Sequence, residues 1–407
     1  MAQRRKESKK DAAGETTASA SSSASKTQAP SSSQSSNARQ RFGSSAIKPG
    51  RRPLTLAALA PIGVMFAGMM AIWISVYRKY GASMFLGHKT FDLKHSPAEW
   101  KHILANKTIL LIGGPHRGGT TLLWKAITSH PDISGLGSTF VTGVDYSEGI
   151  LLQDVYPSMG VGLESLQRHQ RKSSAPQGVG RYALAKEERV HLLPTDPRIT
   201  PRNAAKVWNR FGAYWNLSQP ILAEKSPPTA VMSRFLESLY NVPVFDNATD
   251  AIQVRFLFVT RHPIANALAH YNLLPSTTTT SLDTLLRNYA QIHTYLFQDM
   301  PHLQHPPLLV RLEDLCADPT AVLDQVSTWL SLPAEQPSQK SSTIPHDHLQ
   351  IQSDPNAKYR AAYCGSASSR PDQLAWLQTQ VDAWGLGYDV TGWCAPDHTY
   401  GSLQTSL

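Results

Sequence analysis

The stretch of sequence that decides the fold is residues 108–130, TILLIGGPHRGGTTLLWKAITSH. Its first apolar run, residues 109–112, has the length of a buried parallel strand. Glycines then punctuate a turn, and Thr120 and Thr121 begin an apolar pattern at helical spacing. A strand, a glycine-rich loop and a helix N-terminus in this order form a phosphate cradle, because backbone N–H groups and the positive end of the helix dipole face the anion.

The loop differs from the nucleotide-hydrolysing loop G-x-x-x-x-G-K-[ST] at one decisive position. Residues 114–121 nearly fit that pattern, but Thr120 stands where the lysine belongs. That lysine reaches the β- and γ-phosphates, so its absence disfavours a P-loop nucleotide kinase or hydrolase. The cation of this loop is Arg117 instead.

Arg117-Gly118-Gly119-Thr120 resembles the 5′-phosphosulfate loop of sulfotransferases that use 3′-phosphoadenosine 5′-phosphosulfate (PAPS). The resemblance is to the K-G-G-T form of a carbohydrate-modifying branch, with Arg in place of Lys. It implies that these four residues and Thr121 bind the sulfuryl donor, PAPS. For the loop taken alone, a plain glycine turn between strand and helix is the alternative.

A second segment, residues 221–228, reads ILAEKSPP. It predicts a short strand that ends in Glu224 and Lys225, at the edge where α/β folds place ligands, although a surface ion pair is the alternative. The segment resembles the Glu-Lys-[ST]-Pro motif of Golgi carbohydrate sulfotransferases. The resemblance implies that Glu224 is the general base and that Lys225, with Arg117, acts at the sulfuryl group. A histidine base, as in cytosolic sulfotransferases, is the rival, and His116 and His191 are the candidates.

A third segment begins with a predicted strand over residues 254–260, followed by Arg-His-Pro and a helix. It resembles the 3′-phosphate motif of the same family, which implies that Arg261 binds the 3′-phosphate bidentately. The family usually has Ser eight residues later, where this chain has Ala269. Asn266, His270 or the C-terminal loop could supply the missing contact. The strand is not followed by the acidic residue that a Mg²⁺-dependent hydrolase would need.

The C-terminal third carries the remaining family-like segments. Residues 307–330 predict a strand, an Arg-Leu-Glu-Asp-Leu segment and a helix, which resemble a packing and capping element of sulfotransferases with Leu312 for the usual Tyr. A basic stretch, residues 358–360, could fold over the nucleotide, which makes Arg360 a donor-binding candidate; a solvated charge pair is equally consistent. Residues 371–384 predict a final helix.

Between these segments, residues 131–219 show no clean hydrophobic period. They contain an aromatic cluster, Trp208, Phe211, Tyr214 and Trp215. Such a cluster either fills a core or lines a sugar- or peptide-binding cleft, and we favour the core.

The N-terminal region has a different composition from the rest. Residues 1–53 hold 11 Lys/Arg and 3 Asp/Glu, whereas the remaining charges nearly balance, so the net charge of +9 describes a tail and not a nucleic-acid-binding domain. We expect this tail to be disordered. Residues 54–77 carry no charge and exceed the ~20 residues that a helix needs to cross a bilayer, which predicts a transmembrane signal-anchor. The positive-inside rule then places the tail in the cytosol and the rest in the lumen.

In a lumenal location, two other features of the sequence could be functional: its glycosylation sequons and its cysteines. Asn106, Asn216 and Asn247 each begin an N-x-[ST] glycosylation sequon. An oxidising lumen also permits a disulfide, and Cys364–Cys394 is the pair we choose, because both cysteines lie in the C-terminal segment.

Together these observations predict an α/β protein with a three-layer, P-loop-like fold and a mainly parallel central sheet, preceded by one transmembrane helix. The expected domains are the tail (1–53), the membrane helix (54–77), a stem (78–107), a sulfotransferase domain (108–395) and a C-terminal tail (396–407). We expect a single-pass Golgi membrane enzyme that needs no metal, binds no nucleic acid, forms a possible homodimer and sulfates a glycan or glycoprotein. The alternatives are a protein-tyrosine sulfotransferase, a P-loop kinase or hydrolase, and a catalytically silent, membrane-anchored binding protein, which Ala269 would favour.

Overall fold

A computed structural model describes residues 93–159, 180–242, 252–272, 280–332, 351, 353–366, 374–396 and 398–404 of the protein. The predicted cytosolic tail and membrane helix lie outside these residues. Within them, no helix combines the length and the apolar character that a membrane span requires.

A central sheet of parallel strands organises the described part of the chain. Its strands are β1 (Thr108–Gly113), β2 (Ile133–Ser134), β3 (Ile221–Lys225), β4 (Gln253–Thr260) and β5 (Leu308–Arg311). Their order is β2-β3-β1-β4-β5, and every neighbouring pair is parallel. The predicted α/β fold with a parallel sheet is therefore confirmed, and β1, which leads into the glycine loop, lies at its centre.

Helices connect the strands, as parallel pairing requires. In chain order they are α1 (Pro97–Leu104), α2 (Thr120–Ile127), α3 (Thr139–Thr142), α4 (Glu187–Val190), α5 (Pro201–Gly212), α6 (Ser233–Tyr240), α7 (Pro263–Tyr271), α8 (Leu282–Asp299), α9 (Leu312–Ala317), α10 (Pro319–Trp329), α11 (Ala357–Cys364) and α12 (Ala375–Ala383). Proline at the first helical position starts α5, α7 and α10, where its missing N–H costs no hydrogen bond.

The sheet separates two apolar cores, because successive strand residues point to opposite faces. Ile109 and Leu111 of β1 belong to one core, with residues of α5, α6, α7 and α8. Leu110 and Ile112 belong to the other, with residues of α2, α9 and α10. Helices therefore cover both faces of the sheet, which is the predicted three-layer arrangement.

The core begins earlier in the chain than the predicted stem suggests. Trp100 and Leu104 of α1 are completely buried. The Trp100 indole donates to Asn209 Oδ1 of α5 at 2.9 Å, and the backbone N–H of Leu93 donates to the Asn209 carbonyl at 2.9 Å. Residues assigned to a stem thus pack into the domain, because burying an indole and satisfying its N–H stabilises the fold.

Helix α5 lies in residues 131–219, the region whose sequence shows no clear hydrophobic periodicity. Trp208 and Phe211 of this helix are completely buried, and Trp215, just after it, is 5% exposed. The interpretation of the aromatic cluster as core is confirmed.

The C-terminal segment is fixed to the domain at several points. The predicted disulfide Cys364–Cys394 is present, with its Cα atoms 5.5 Å apart. Within the predicted C-terminal tail, the Gly401 carbonyl accepts a hydrogen bond from Arg311 at the end of β5. These residues therefore pack with the domain and do not form a free tail.

Candidate active site

The glycine loop between β1 and α2 has a backbone shape that only glycine adopts easily. A Cβ atom on Gly114 would lie 2.2 Å from the Val259 carbonyl oxygen of β4. Gly119 has φ +106° and is the N-cap of α2. No side chain caps this helix, so the first-turn N–H groups suit an anion, which the helix dipole also favours.

The other predicted loop residues surround this helix start. The N–H of Gly118 donates to the Pro115 carbonyl at 2.9 Å and closes the turn. Thr120 is buried and Thr121 is half-buried in the first turn of α2. Arg117 has an exposed side chain and φ +66°, a conformation that non-glycine residues rarely adopt and that is often found at functional sites.

Arg261, directly after β4, joins the glycine loop to the C-terminal helix α11. Its Nε donates to Asn356 Oδ1 at 2.8 Å, its Nη1 to the Arg117 carbonyl at 3.1 Å and its Nη2 to the Pro355 carbonyl at 2.7 Å. Its guanidinium carbon lies 4.9 Å from the centre of the Tyr359 ring. These bonds use three of the five guanidinium N–H groups, so the side chain is held beside the loop and still has donors for an anion.

The residues proposed to replace the family serine contact the glycine loop. Asn266 Nδ2 donates to the His116 carbonyl at 2.8 Å. The rings of His270 and His116 are stacked with their centres 6.2 Å apart. Both side chains are buried, as is Ala269, so α7 packs against the glycine loop from within the domain. Arg360 is half-buried on α11.

Glu224 and Lys225 end β3 and pair in register with Leu111 and Ile112 of β1, immediately before the loop. Glu224 is 2% exposed, and its Oε1 accepts from the Gly149 N–H at 2.9 Å and from the Ser226 hydroxyl. The described residues place no donor on Oε2. One carboxylate oxygen is therefore anchored, and the other has capacity to accept a proton.

Lys225 is completely buried and forms an ion pair with Glu148, a residue that the sequence analysis did not single out. The Lys225 Nζ lies 3.0 Å from Glu148 Oε1, and the Glu148 side chain is also buried. The same Nζ lies 5.9 Å from the centre of the Tyr146 ring. A buried ammonium needs such a partner, because an uncompensated buried charge is strongly destabilising.

The two neighbouring carboxyl groups differ in their electrostatic environment. Burial raises the pKa of Glu224 from 4.5 to about 7, and the negative charge of Glu148 adds to the rise, whereas the contacts with Ser226, Lys225 and the Gly149 N–H lower it. Glu148 has the ammonium of Lys225 as its direct partner. A carboxyl group with a pKa of about 7 can exchange a proton near neutral pH, which is the property that a general base requires.

The two rival histidines lie in different environments. Burial lowers the pKa of His116 well below its usual 6.5, and the charges of His270, Lys225 and Arg117 lower it further, so it is a weak base. His191 lies in a separate polar contact, with its Nε2 3.0 Å from Asp299 Oδ1.

The Arg-Leu-Glu-Asp-Leu segment has structural contacts. Buried Glu313 accepts from the His262 N–H at 2.8 Å, from Asn356 Nδ2 at 2.6 Å and from the Tyr388 hydroxyl at 2.9 Å. It therefore ties the start of α7 to the C-terminal segment, in agreement with the predicted packing and capping role.

A parallel sheet with an anion cradle after its central strand, and an acid–lysine pair on the adjacent strand end, places a candidate ligand site where open α/β sheets bind ligands. The family model of the sulfotransferase family matches residues 110–336, more than half of the chain. The chain belongs to the sulfotransferase family. It is an enzyme that transfers a sulfuryl group from PAPS, and family membership leaves its acceptor open.

Several solved structures are similar to the chain at low identity. The sulfotransferase domain from the Synechococcus PCC 7002 olefin synthase is 19% identical, with 73% of this chain and 98% of that chain covered and a TM-score of 0.38. Sulfotransferase STF9 from Mycobacterium avium is 14% identical, with 70% and 77% covered and a TM-score of 0.36. A sulfotransferase from Alicyclobacillus acidocaldarius is 14% identical, with 70% and 97% covered and a TM-score of 0.37. Comparison with curated proteins gave no match.

Proposed function

We propose that this sulfotransferase transfers the sulfuryl group of PAPS to a hydroxyl of a glycan or glycoprotein, with Glu224 as the general base. The observation that carries the proposal is the buried Glu224 beside Lys225, with its pKa raised to about 7. A hydroxyl loses its proton as it attacks sulfur, and a positioned carboxylate that titrates near the working pH can accept that proton.

In the proposed step, the acceptor oxygen forms a bond to sulfur while the bond between sulfur and the bridging phosphate oxygen breaks. The electron pair of the broken bond stays on 3′-phosphoadenosine 5′-phosphate (PAP), which leaves. The acceptor proton passes to Glu224 and then to solvent. Lys225, Arg117 and the N–H groups at the start of α2 stabilise the negative charge that develops on the bridging oxygen.

The donor is proposed to lie along the loop from β1 to the end of β4. Arg261 binds the 3′-phosphate there, exchanging bonds to Asn356 and Pro355 for bonds to phosphate oxygens. The remaining residues assigned to donor binding are Arg117, Gly118, Gly119, Thr120, Thr121, Asn266 and Arg360.

Substitution of the base tests the proposal. Glu224→Gln keeps the shape of the side chain but removes the proton acceptor, so turnover should fall at least about a hundredfold while PAP affinity changes little. Glu237→Gln, a change of a half-buried glutamate on α6, is the matched control and should retain turnover. Radiolabelled sulfate transfer and PAP titration measure the two quantities. Near-normal turnover of correctly folded Glu224→Gln would move the search for the base to His116 and His191.

The pH dependence follows from the same group. The folded pKa of about 7 means that Glu224 is protonated, and inactive as a base, below that pH. Wild-type kcat/KM should therefore rise as pH increases through about 7 and then level off, because kcat/KM reports groups of the free enzyme. The residual activity of Glu224→Gln should lack this rise; the same ascending limb in the variant would assign the titration to another group.

The same assay separates the alternatives. A panel of glycans and tyrosine peptides distinguishes a carbohydrate enzyme from a protein-tyrosine sulfotransferase, and transfer to neither, with intact PAP binding, would indicate a silent binding protein. Stronger binding of ATP than of PAP would favour a P-loop kinase or hydrolase.

We also propose a single-pass Golgi membrane protein with its catalytic domain in the lumen. The charge-free residues 54–77 and the basic tail support it, as do the exposed Asn106 and Asn216 of two sequons. A disulfide such as Cys364–Cys394 persists in an oxidising compartment. In intact microsomes, external protease should digest an N-terminal tag while the chain carries N-glycans. Protection of the tag without glycosylation would overturn this topology.

A further inference from the structure

Residues 148–150 contact the end of β3 and the residue after it, although they lie 75–77 positions earlier in the chain. Each of the three residues makes one contact: Glu148 Oε1 lies 3.0 Å from Lys225 Nζ, the Gly149 N–H donates to Glu224 Oε1 at 2.9 Å, and the Ile150 N–H donates to Ser226 Oγ at 3.0 Å. Two of these contacts use backbone groups, which have little freedom to move. Together they fix Glu224 and Lys225 relative to each other.

The backbone at Gly149 approaches Glu224 very closely. A Cβ atom on Gly149 would lie 2.5 Å from Glu224 Cγ and 2.7 Å from Glu224 Oε1. Glycine is therefore the residue that leaves room for the carboxylate here. The place of Glu224 thus depends on residues 148–150 as well as on its own strand.

The backbone just before Glu148 has an uncommon conformation. Tyr146 has φ 53° and ψ 20°, and Ser147 has φ 53°. Non-glycine residues in the left-handed region cost conformational energy, and they occur where the surrounding structure holds them, often at functional sites. The two residues turn the chain from the exposed Tyr146 to the buried Glu148.

The end of β3 and residue 148 bury two carboxyl groups with one ammonium. Glu148 pairs with Lys225 directly, whereas Glu224 accepts from the Gly149 N–H and the Ser226 hydroxyl. Apolar residues of similar volume can often replace a buried ion pair without loss of stability. Stability alone therefore does not call for a carboxylate at residue 148, whereas fixing the place of a cation beside the base does.

The charge of Glu148 acts on Glu224 in a defined direction. Burial is the main cause of the raised pKa of Glu224, and Glu148 adds to the rise, whereas Ser226, Lys225 and the Gly149 N–H lower it. The other titratable side chains near these charges stay neutral around pH 7, because burial raises the pKa of three tyrosines and lowers the pKa of one histidine: Tyr156, Tyr182, Tyr240 and His116. Glu148 and Lys225 are thus the charged groups that face Glu224.

We propose that Glu148 is a positioning residue of sulfuryl transfer, which acts by holding Lys225 and Glu224 in their working geometry. The inference rests on the proposed function, with Glu224 as the base, and adds the group that fixes the base and its cation. Glu148 takes no proton from the acceptor; it determines where Lys225 lies and the charge that Glu224 meets.

The pH profile of Glu148→Gln tests this role in the full-length protein. Glutamine keeps an oxygen that can accept from Lys225 but removes the negative charge, so the pKa of Glu224 should fall. The ascending limb of kcat/KM should then move to lower pH by about half a unit or more. Because the base is weaker and Lys225 is held less firmly, kcat should fall about tenfold, while PAP affinity stays within about threefold. Radiolabelled sulfate transfer from PAPS to the best acceptor of the glycan and tyrosine-peptide panel measures the profile.

Two further variants make the direction of the shift informative. Ser226→Ala removes a hydrogen bond that lowers the pKa of Glu224, so the limb should move to higher pH, opposite to Glu148→Gln. Glu237→Gln, which removes a half-buried carboxylate on α6, is the matched control and should leave the limb in place.

Urea unfolding gives a readout that needs no acceptor. The pKa of Glu224 is raised from 4.5 to about 7 in the folded protein, so its contribution to stability is fully present below pH 4.5 and is lost as pH rises through about 7. Comparison with Glu224→Gln isolates this contribution. It should be smaller when Glu148→Gln is also present, because the folded pKa of Glu224 is then nearer to its unfolded value.

The outcomes separate this inference from the proposed function. An unmoved limb in folded Glu148→Gln, with turnover lost in Glu224→Gln, would overturn the role of Glu148 alone. Near-normal turnover of Glu224→Gln would overturn the proposed base and this inference with it. If Glu148→Gln does not fold, Glu148→Asp decides: it keeps the charge but withdraws it by one methylene, so kcat should fall about tenfold with the limb in place. Wild-type kcat in Glu148→Asp would overturn the positioning role.

Discussion

The two halves of the candidate active site differ in the groups that form them. The donor half, around the glycine loop, is shaped by backbone groups: the carbonyls of Arg117, His116 and Pro355 receive its supporting hydrogen bonds. The base half, at the end of β3, is a cluster of buried side-chain charges in which Lys225 pairs with Glu148 beside Glu224. The first half depends on hydrogen bonds to backbone carbonyls, and the second depends on the balance of buried charges.

This difference predicts that substitutions in the two halves will affect different properties of the protein. Changes in the base half should alter the stability of the whole domain, because they expose or leave uncompensated a buried charge. Changes in the donor half should alter nucleotide affinity while the protein remains folded, because they remove contacts to the nucleotide and not the partner of a buried charge.

Breaking the buried ion pair should have the largest effect. Glu148→Ala leaves the Lys225 ammonium buried without its carboxylate, which should cost about 3–5 kcal/mol of unfolding free energy. Replacing both, as Glu148→Leu with Lys225→Met, should recover most of the stability but not the turnover. Urea unfolding and sulfate transfer measure the two effects.

The exposed pair Asp283–Arg287 on α8 is the matched control for the buried one, since its atoms are 2.8 Å apart but both side chains are more than half exposed. Asp283→Ala should cost at most about 0.5 kcal/mol. Equal losses of unfolding free energy from Asp283→Ala and Glu148→Ala would show that burial of the Glu148–Lys225 pair does not make it more important for stability.

Arg261→Ala should have an intermediate effect, confined to the nucleotide. Loss of charge-assisted bonds to the 3′-phosphate should weaken PAP binding by about 1.5–3 kcal/mol. Adenosine 5′-phosphosulfate lacks that phosphate, so its affinity should not change. An equal loss for both ligands would show that Arg261 acts by holding the Arg117 carbonyl and not by binding phosphate.

Gly119→Ala should have the smallest effect of the three. The left-handed backbone would cost about 1–2 kcal/mol for alanine, and PAP affinity should fall accordingly. The new Cβ would also lie 2.7 Å from Cδ1 of Leu312, a residue that is buried in the second core. Adding Leu312→Ala should therefore restore only part of the affinity; full recovery would mean that the backbone conformation carries no cost here.

The contrast also explains what the sequence could predict. β1, β3, β4 and β5 and the helix after the loop are signalled by short apolar runs next to glycine, proline or charge, so these elements could be predicted from the sequence. Glu148 gave no local signal, because its partner Lys225 lies 77 residues away. The same holds for α1, whose Trp100 is recognised as core only through Asn209, 109 residues later. A sequence motif indicates local conformation. Ion pairs and packing contacts between distant segments can be identified only when the fold is known.

The disulfide has a practical consequence for every nucleotide titration. It covers a sequence separation of 30 residues and tethers the last residue of α11, the helix whose Tyr359 lies against Arg261. A cross-link of this span typically contributes about 2–4 kcal/mol to stability. Protein produced in a reducing bacterial cytosol would carry every donor-binding side chain yet lack the tether. The redox state of the expression host is therefore an experimental variable, and recombinant material should be checked for free thiols before its affinities are compared.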